Sequence, residues 1–230
     1  MELLGAAREL FFREGYRATT IQQIAASAGY SKRTVYLDFE TKDELFITLC
    51  AEGGELILEA LAGIDAERLS VEELIDAFGE LFIDFSRRHG EYFRMIFSEA
   101  TAEIIGNCTA ALRDRVARLE RDCLCVVVAW VERAVGEGLI PKVDPWETAG
   151  ILVGAATGII LLSMGGSQTV YSQRTREVLV RQAVRTFWRG LRCEEPSGAS
   201  PSRRPLPSMT LQEEAAGAAR GKPRRGLVKT

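Results

Sequence analysis

Histidine is nearly missing from this chain: His89 is the only one in 230 residues. Imidazole is the usual general base and a favoured zinc ligand, so hydrolytic and metal chemistry have little to build on. No glycine-rich phosphate loop, metal-ligand cluster or Ser/His/Asp set accompanies it. No catalytic residue, metal or cofactor is therefore assigned, and an enzyme is not expected. His89 lies at a helix end, where it caps carbonyls or is solvated. A strong charge imbalance is also lacking. Twenty-nine Lys and Arg face 32 Asp and Glu, a net charge of −3. Affinity for nucleic acid must then come from a local patch, since the acidic middle of the chain is repelled by phosphate. The five cysteines (Cys50, Cys108, Cys123, Cys125, Cys193) are odd in number and fit no zinc spacing. They read as buried, reduced thiols of a cytoplasmic protein, with redox sensing as the alternative. No apolar leader is visible, because Glu2 and Arg8 interrupt the opening segment.

Strand alternation is absent too, and helical periodicity runs almost throughout. Residues 2–14 place Leu3, Ala6, Ala7, Leu10 and Phe11 on one face, and Gly15 ends that helix. Thr19 or Thr20 caps the next, with Ile21, Ile24 and Ala25 inward, and Gly29 turns the chain. Ser31 caps a third helix carrying Val35 and Phe39. Thr41 and Glu44 have capping-box spacing and open a long helix to about Ala62. Further helices are expected over 70–88, 91–100, from Thr101 or Asn107 to Ala134, 145–165 and 171–191. The fold class is thus all-α, with about nine helices. From Cys193 the chain is rich in Pro, Ser, Gly, Ala and Arg, which predicts a disordered basic tail.

The segment 19–42 has the layout of a helix-turn-helix, whose second helix enters the major groove. Lys32, Arg33, Thr34 and Tyr36 crowd the start of that helix. Lys or Arg can donate to guanine O6 and N7, and a Thr methyl can meet the thymine methyl. Tyr36, Lys42 and Thr20 are candidate phosphate contacts, and Gln22 can reach a base or sugar. Taken singly, Lys32, Arg33 and Lys42 read as solvated charges. Their combination with Gly29, Ile24, Val35 and Phe39 is more specific. Through Ala6–Ala7, Leu10–Phe11, Gly15–Tyr16, Thr19–Thr20, Ile24–Ala25, Ala28–Gly29, Ser31–Lys32, Thr34–Val35–Tyr36, Phe39, Lys42 and Leu45, residues 3–46 resemble the N-terminal domain of the TetR family of transcriptional regulators. Arg33 stands where small residues are common, and Ile21 where several members carry a hydroxyl. The chain opens almost at its first helix, so contacts from a basic N-terminal arm are not expected.

The resemblance implies a three-helix DNA-binding domain over 1–47, a helical effector-binding and dimerisation domain over 48–192, and the tail 193–230. It implies a homodimer on a palindromic double-stranded operator, released when a small effector binds the central helices. Candidate pocket residues are Phe78, Phe82, Phe85, Tyr92, Phe93, Phe97 and Trp130, which suit an apolar or aromatic effector, although helical aromatic stripes are more often plain core. Residues 149–166 carry no charge and are long enough for a membrane span. The stretch stands alone, is Gly-rich and lacks a basic flank, so a soluble helix buried on all sides fits better. The resemblance puts this helix and the last one at the subunit interface, through Gly150, Gly154, Gly158, Leu161, Val178 and Phe187. Two other readings use the same parts. One is an activator of the same family; the other is a dimeric ligand-binding adaptor without DNA binding, which the retained Lys32, Tyr36 and Lys42 argue against.

Overall fold

The computed structural model describes residues 2–164 and 173–192. The tail from Cys193, the stop at Gly165–Gly166 and the start at Tyr171 lie outside the described residues. Within them all regular structure is helical: α1 (Glu2–Ala18), α2 (Ile21–Ser27), α3 (Lys32–Asp38), α4 (Lys42–Ala62), α5 (Val71–Arg88), α6 (Gly90–Ile96), α7 (Glu99–Ile104), a 3₁₀ turn (Ile105–Asn107), α8 (Ala110–Gly136), α9 (Pro145–Met164) and α10 (Gln173–Arg192). The fold is all-α, as expected, with ten α-helices described rather than nine. The extra one is α7. Ser98 caps it by accepting from the Thr101 N–H at 3.3 Å, so α8 starts only at Ala110.

Local chemistry sets most boundaries. Gly15 breaks α1 at φ 81° and ψ 168°, a region essentially reserved for glycine. Thr20, rather than Thr19, caps α2. Its hydroxyl accepts from Gln23 N, while the Gln23 side chain accepts from Thr20 N at 2.8 Å, a complete capping box. Thr19 is buried and donates its hydroxyl to Gly15 O at 2.8 Å. The Thr41–Glu44 box forms only by half: Thr41 accepts from Glu44 N at 3.1 Å, but the Glu44 carboxylate goes elsewhere. His89 joins α5 to α6 without any side-chain cap and packs its ring against Phe85, 5.1 Å between centroids.

Two apolar clusters form. One gathers the end of α4 with α5, α6, α8, α9 and α10, around the fully buried Phe78 and Phe93. The other joins α1–α3 to the first half of α4 and continues into Met95, Ile104, Cys108 and Val116. Helix α4 packs on α8, α8 on α9, α9 on α10, and α10 on α5. Along the last pair, Arg181, Arg185 and Arg192 pair with Glu80, Asp76 and Glu72. These exposed pairs contribute little each, ~0.2–1 kcal/mol, but they fix the helices in register.

Helix α9 is long and apolar enough to cross a membrane by composition alone. The expectation that it is buried on all sides needs correcting. Ala149, Leu152, Ala156 and Ile160 are buried against the body of the protein, whereas Ile151 and Leu162 are 57% and 60% exposed. Its nearly uniform hydropathy hides three environments: core, cavity wall and open surface.

Candidate nucleic-acid interface and effector cavity

Helix α3 is short and presents its side chains outward. Gly29, at φ 72°, turns the chain, and Ser31 Oγ caps the helix by accepting from Thr34 N at 3.1 Å. Val35 is the one buried residue of α3. Lys32, Arg33 and Tyr36 are therefore exposed, as is Gln22 on α2. Leu37 is 77% exposed, an apolar side chain on the same helix that the sequence pattern did not single out. Two expected contacts are already engaged within the protein. Thr20 Oγ1 donates to Gln23 Oε1 at 2.7 Å, and Thr34 Oγ1 lies 2.9 Å from Ser31 Oγ.

Lys42 sits inward of the α3 surface. Its Nζ donates to Tyr16 O at 2.9 Å and Thr19 O at 3.0 Å, and lies 4.1 Å from the Tyr16 ring centroid. Two of its three N–H groups are thus spent on the backbone just after the Gly15 break. Burial lowers its pKa, and the neighbouring Asp43 opposes that shift. Asp43 accepts from the Tyr16 hydroxyl and from Asn107 Nδ2 at 3.0 Å. Burial, then the Asp43 hydrogen bond, raises the Tyr16 pKa. Glu44, 8% exposed, accepts from Glu40 N at 3.0 Å and from Thr109 N at 3.2 Å, so one carboxylate closes the loop before α4 and the start of α8. A second tie runs from α1: Arg8 donates to the Tyr92 hydroxyl at 3.2 Å, which donates to Glu52 at 3.1 Å. The head carrying α3 is thereby fastened to α4, α6 and α8. None of Arg8, Tyr16, Asp43, Glu52 or Asn107 was read from sequence as a tie between elements, because the bonds join residues far apart along the chain.

Deeper in the bundle lies a cavity of about 580 Å³ among α4 to α9. Of the seven expected pocket residues, Phe78, Phe82 and Phe97 line it. Phe85, Tyr92, Phe93 and Trp130 do not; they are core, or in the case of Tyr92 a hydrogen-bonding tie. Gly150, Gly154, Gly158 and Leu161, expected at a subunit interface, line this cavity within one chain. A Cβ at any of the three glycines meets nothing within 4 Å, so within this chain they leave space rather than admit a close neighbour. Val178 is 52% exposed, while Phe187 is half-buried against the main cluster. Cys50, Cys123, Thr101 and Thr157 supply polar atoms to the wall. Burial pushes the Cys50 thiol up to about 12 and the Cys123 thiol up to about 11.

The model of bacterial regulatory proteins of the tetR family matches residues 3–49. An uncharacterized HTH-type transcriptional regulator of Bacillus subtilis, YhgD, is 30% identical over 155 residues, covering 66% of this chain and 76% of that relative. The chain belongs to the TetR family. As such it is a DNA-binding transcriptional regulator. The HTH-type transcriptional activator FasR of Mycolicibacterium smegmatis is 27% identical over 127 residues, 51% of this chain and 58% of that protein. A tetR-family regulatory protein of Rhodococcus RHA1 has the same fold, with a TM-score of 0.66 at 21% identity over 84% of this chain and 97% of that one.

Proposed function

We propose that this TetR-family regulator is a homodimeric repressor, released from a palindromic operator by a small apolar effector bound in the central cavity. The supporting observation is the path of α4. Its first residues hold the reading head: Lys42 bonds Tyr16 and Thr19, Asp43 accepts from Tyr16, and Glu44 accepts from Glu40 N. Its next turns, from Cys50 to Leu61, line the cavity. A ligand that prefers one position of α4 therefore biases the spacing of two heads, by no more than its differential affinity for the two states. Lys32, Arg33 and Tyr36 are the exposed candidates for base and phosphate contacts, with Gln22, Thr20 and Thr34 beside them. Lys42 acts by holding the head in place. The exposed apolar residues of α9 and α10 (Ile151, Leu162, Val178) suit a second copy better than water.

A mobility-shift titration on the DNA upstream of the chain's own gene tests this. Tight binding is expected there and not on a scrambled duplex, and destroying one half of the palindrome removes the complex. Equal affinity for both duplexes would overturn sequence-specific recognition. The similarity to an activator favours a second reading. Deleting the gene raises output from the target promoter if the protein represses and lowers it if it activates.

A further inference from the structure

We propose that the central cavity takes an elongated, uncharged lipophile, held by apolar contact along its length. This rests on reading the cavity as the effector site and adds the chemistry of its occupant. The shape comes from the lining. Cys50 to Leu61 on α4, Val116 to Val127 on α8 and Gly150 to Leu161 on α9 each span about eleven residues. At the helical rise that is roughly 16 Å of wall on three sides. Gly150, Gly154 and Gly158 keep the α9 wall smooth along this length, with open space beyond each.

The polarity is concentrated. Apart from thiols, the side-chain polar groups of the wall are Thr101, Thr157 and Glu120. Thr101 is already bonded, within 3.1 Å of Ser98 Oγ. Glu120 is exposed and stands at the rim. Thr157 is 9% exposed, and its Oγ1 is closed off from the cavity space, with no hydrogen-bond partner among the described residues. The wall therefore offers an occupant apolar contact and no free hydroxyl away from the rim. Among the described residues no Lys, Arg or His lines the cavity. A carboxylate would be buried without a counter-charge, which excludes a free fatty-acid anion as the preferred occupant. The two thiols do not act as traps for electrophiles. Each is held protonated by burial, and Cys123 is engaged with Gly54 O.

The test is displacement of a fluorescent naphthylamine dye from the full-length protein by dodecanol and by dodecanoate at pH 8. Dodecanol is expected to compete, and dodecanoate about tenfold less well because its charge is unpaired inside. Gly154→Leu fills the cavity without meeting other atoms at its Cβ, so it should abolish binding of dye and dodecanol while the melting temperature holds or rises. Dodecanoate competing as well as dodecanol overturns the proposal while the effector reading stands. Dye binding that survives in folded Gly154→Leu places the lipophile elsewhere and also overturns it. A folded wild-type protein that binds neither dye nor alcohol removes the effector reading itself.

Discussion

Two lysine or arginine residues in the reading head do different work. Arg33 is exposed on α3, whereas Lys42 is tucked over the Tyr16 ring with two backbone acceptors. Arg33→Ala should weaken operator binding about tenfold and lower the salt slope by about 1, since one phosphate or base contact is lost. Lys42→Ala should leave that slope nearly unchanged and instead cost about 1–2 kcal/mol of stability, because Tyr16 O and Thr19 O lose their donor. Salt-titrated fluorescence anisotropy and urea unfolding of the two variants separate the roles. The sequence pattern identified both cations but could not tell them apart. Lys42 finds its partners 26 and 23 residues earlier, across a glycine break that only the folded chain brings close. Thr20 was legible as a cap by residue type, and its partner Gln23 was not, since Gln at that position is only one way to complete the box.

Helices α4 and α6 meet at Gly53. A Cβ there would stand 2.8 Å from Tyr92 Cδ1 and 2.9 Å from Ile96 Cδ1. The close approach places the Tyr92 hydroxyl between Arg8 and Glu52. Gly53→Ala gains about 1 kcal/mol of helix propensity but forces Tyr92 outward, an overpacking cost of about 1–3 kcal/mol. The net expectation is a lower melting temperature, together with altered operator affinity as α1 loses its tie to α6. The neighbouring Gly54→Ala, whose Cβ would sit 3.7 Å from Leu119, is the permissive control. At this scale most helices were legible, because capping residues and apolar spacing act within a few residues. Helix α7 was missed since a short helix between two long ones has too few turns to declare a face. Helix α9 was read as uniformly buried because a run of small and apolar residues has no polar side to mark where the core stops. Its glycines fit a close helix contact and a cavity wall equally well in sequence; within one chain they border open space.

At the scale of the whole molecule, stability depends on groups kept neutral by burial. Cys50 is pushed up to about 12, and Cys108 and Cys123 up to about 11, from an ordinary value of 9.0. Tyr16 is raised as well. Below pH 9 these thiols are neutral in both folded and unfolded chains, so their contribution is fully present. As pH rises from about 9 toward 12 the unfolded chain releases their protons first, and stability falls. Guanidinium midpoints should therefore be flat between pH 7 and 8.5 and decline above about 9, less steeply in Cys123→Ala. A decline identical in wild type and variant would show that other groups govern it. The family was legible from the head alone, because a helix-turn-helix concentrates its signature in some forty residues, and the all-helical plan was legible from the periodicity that runs almost throughout. The cavity was half-legible: aromatic residues point to a central core, but which of them face empty space depends on how three long helices splay.

Asp43 and Glu44 have a practical consequence for engineering. Each serves two masters, one in the head and one around Asn107–Thr109. A transplant of the first 47 residues onto a foreign body would strand Glu44, buried and charged, with half its donors gone. Chimeras that carry the 104–112 stretch along with the head should keep their operator grip, and those cut cleanly after the first turn of α4 should not.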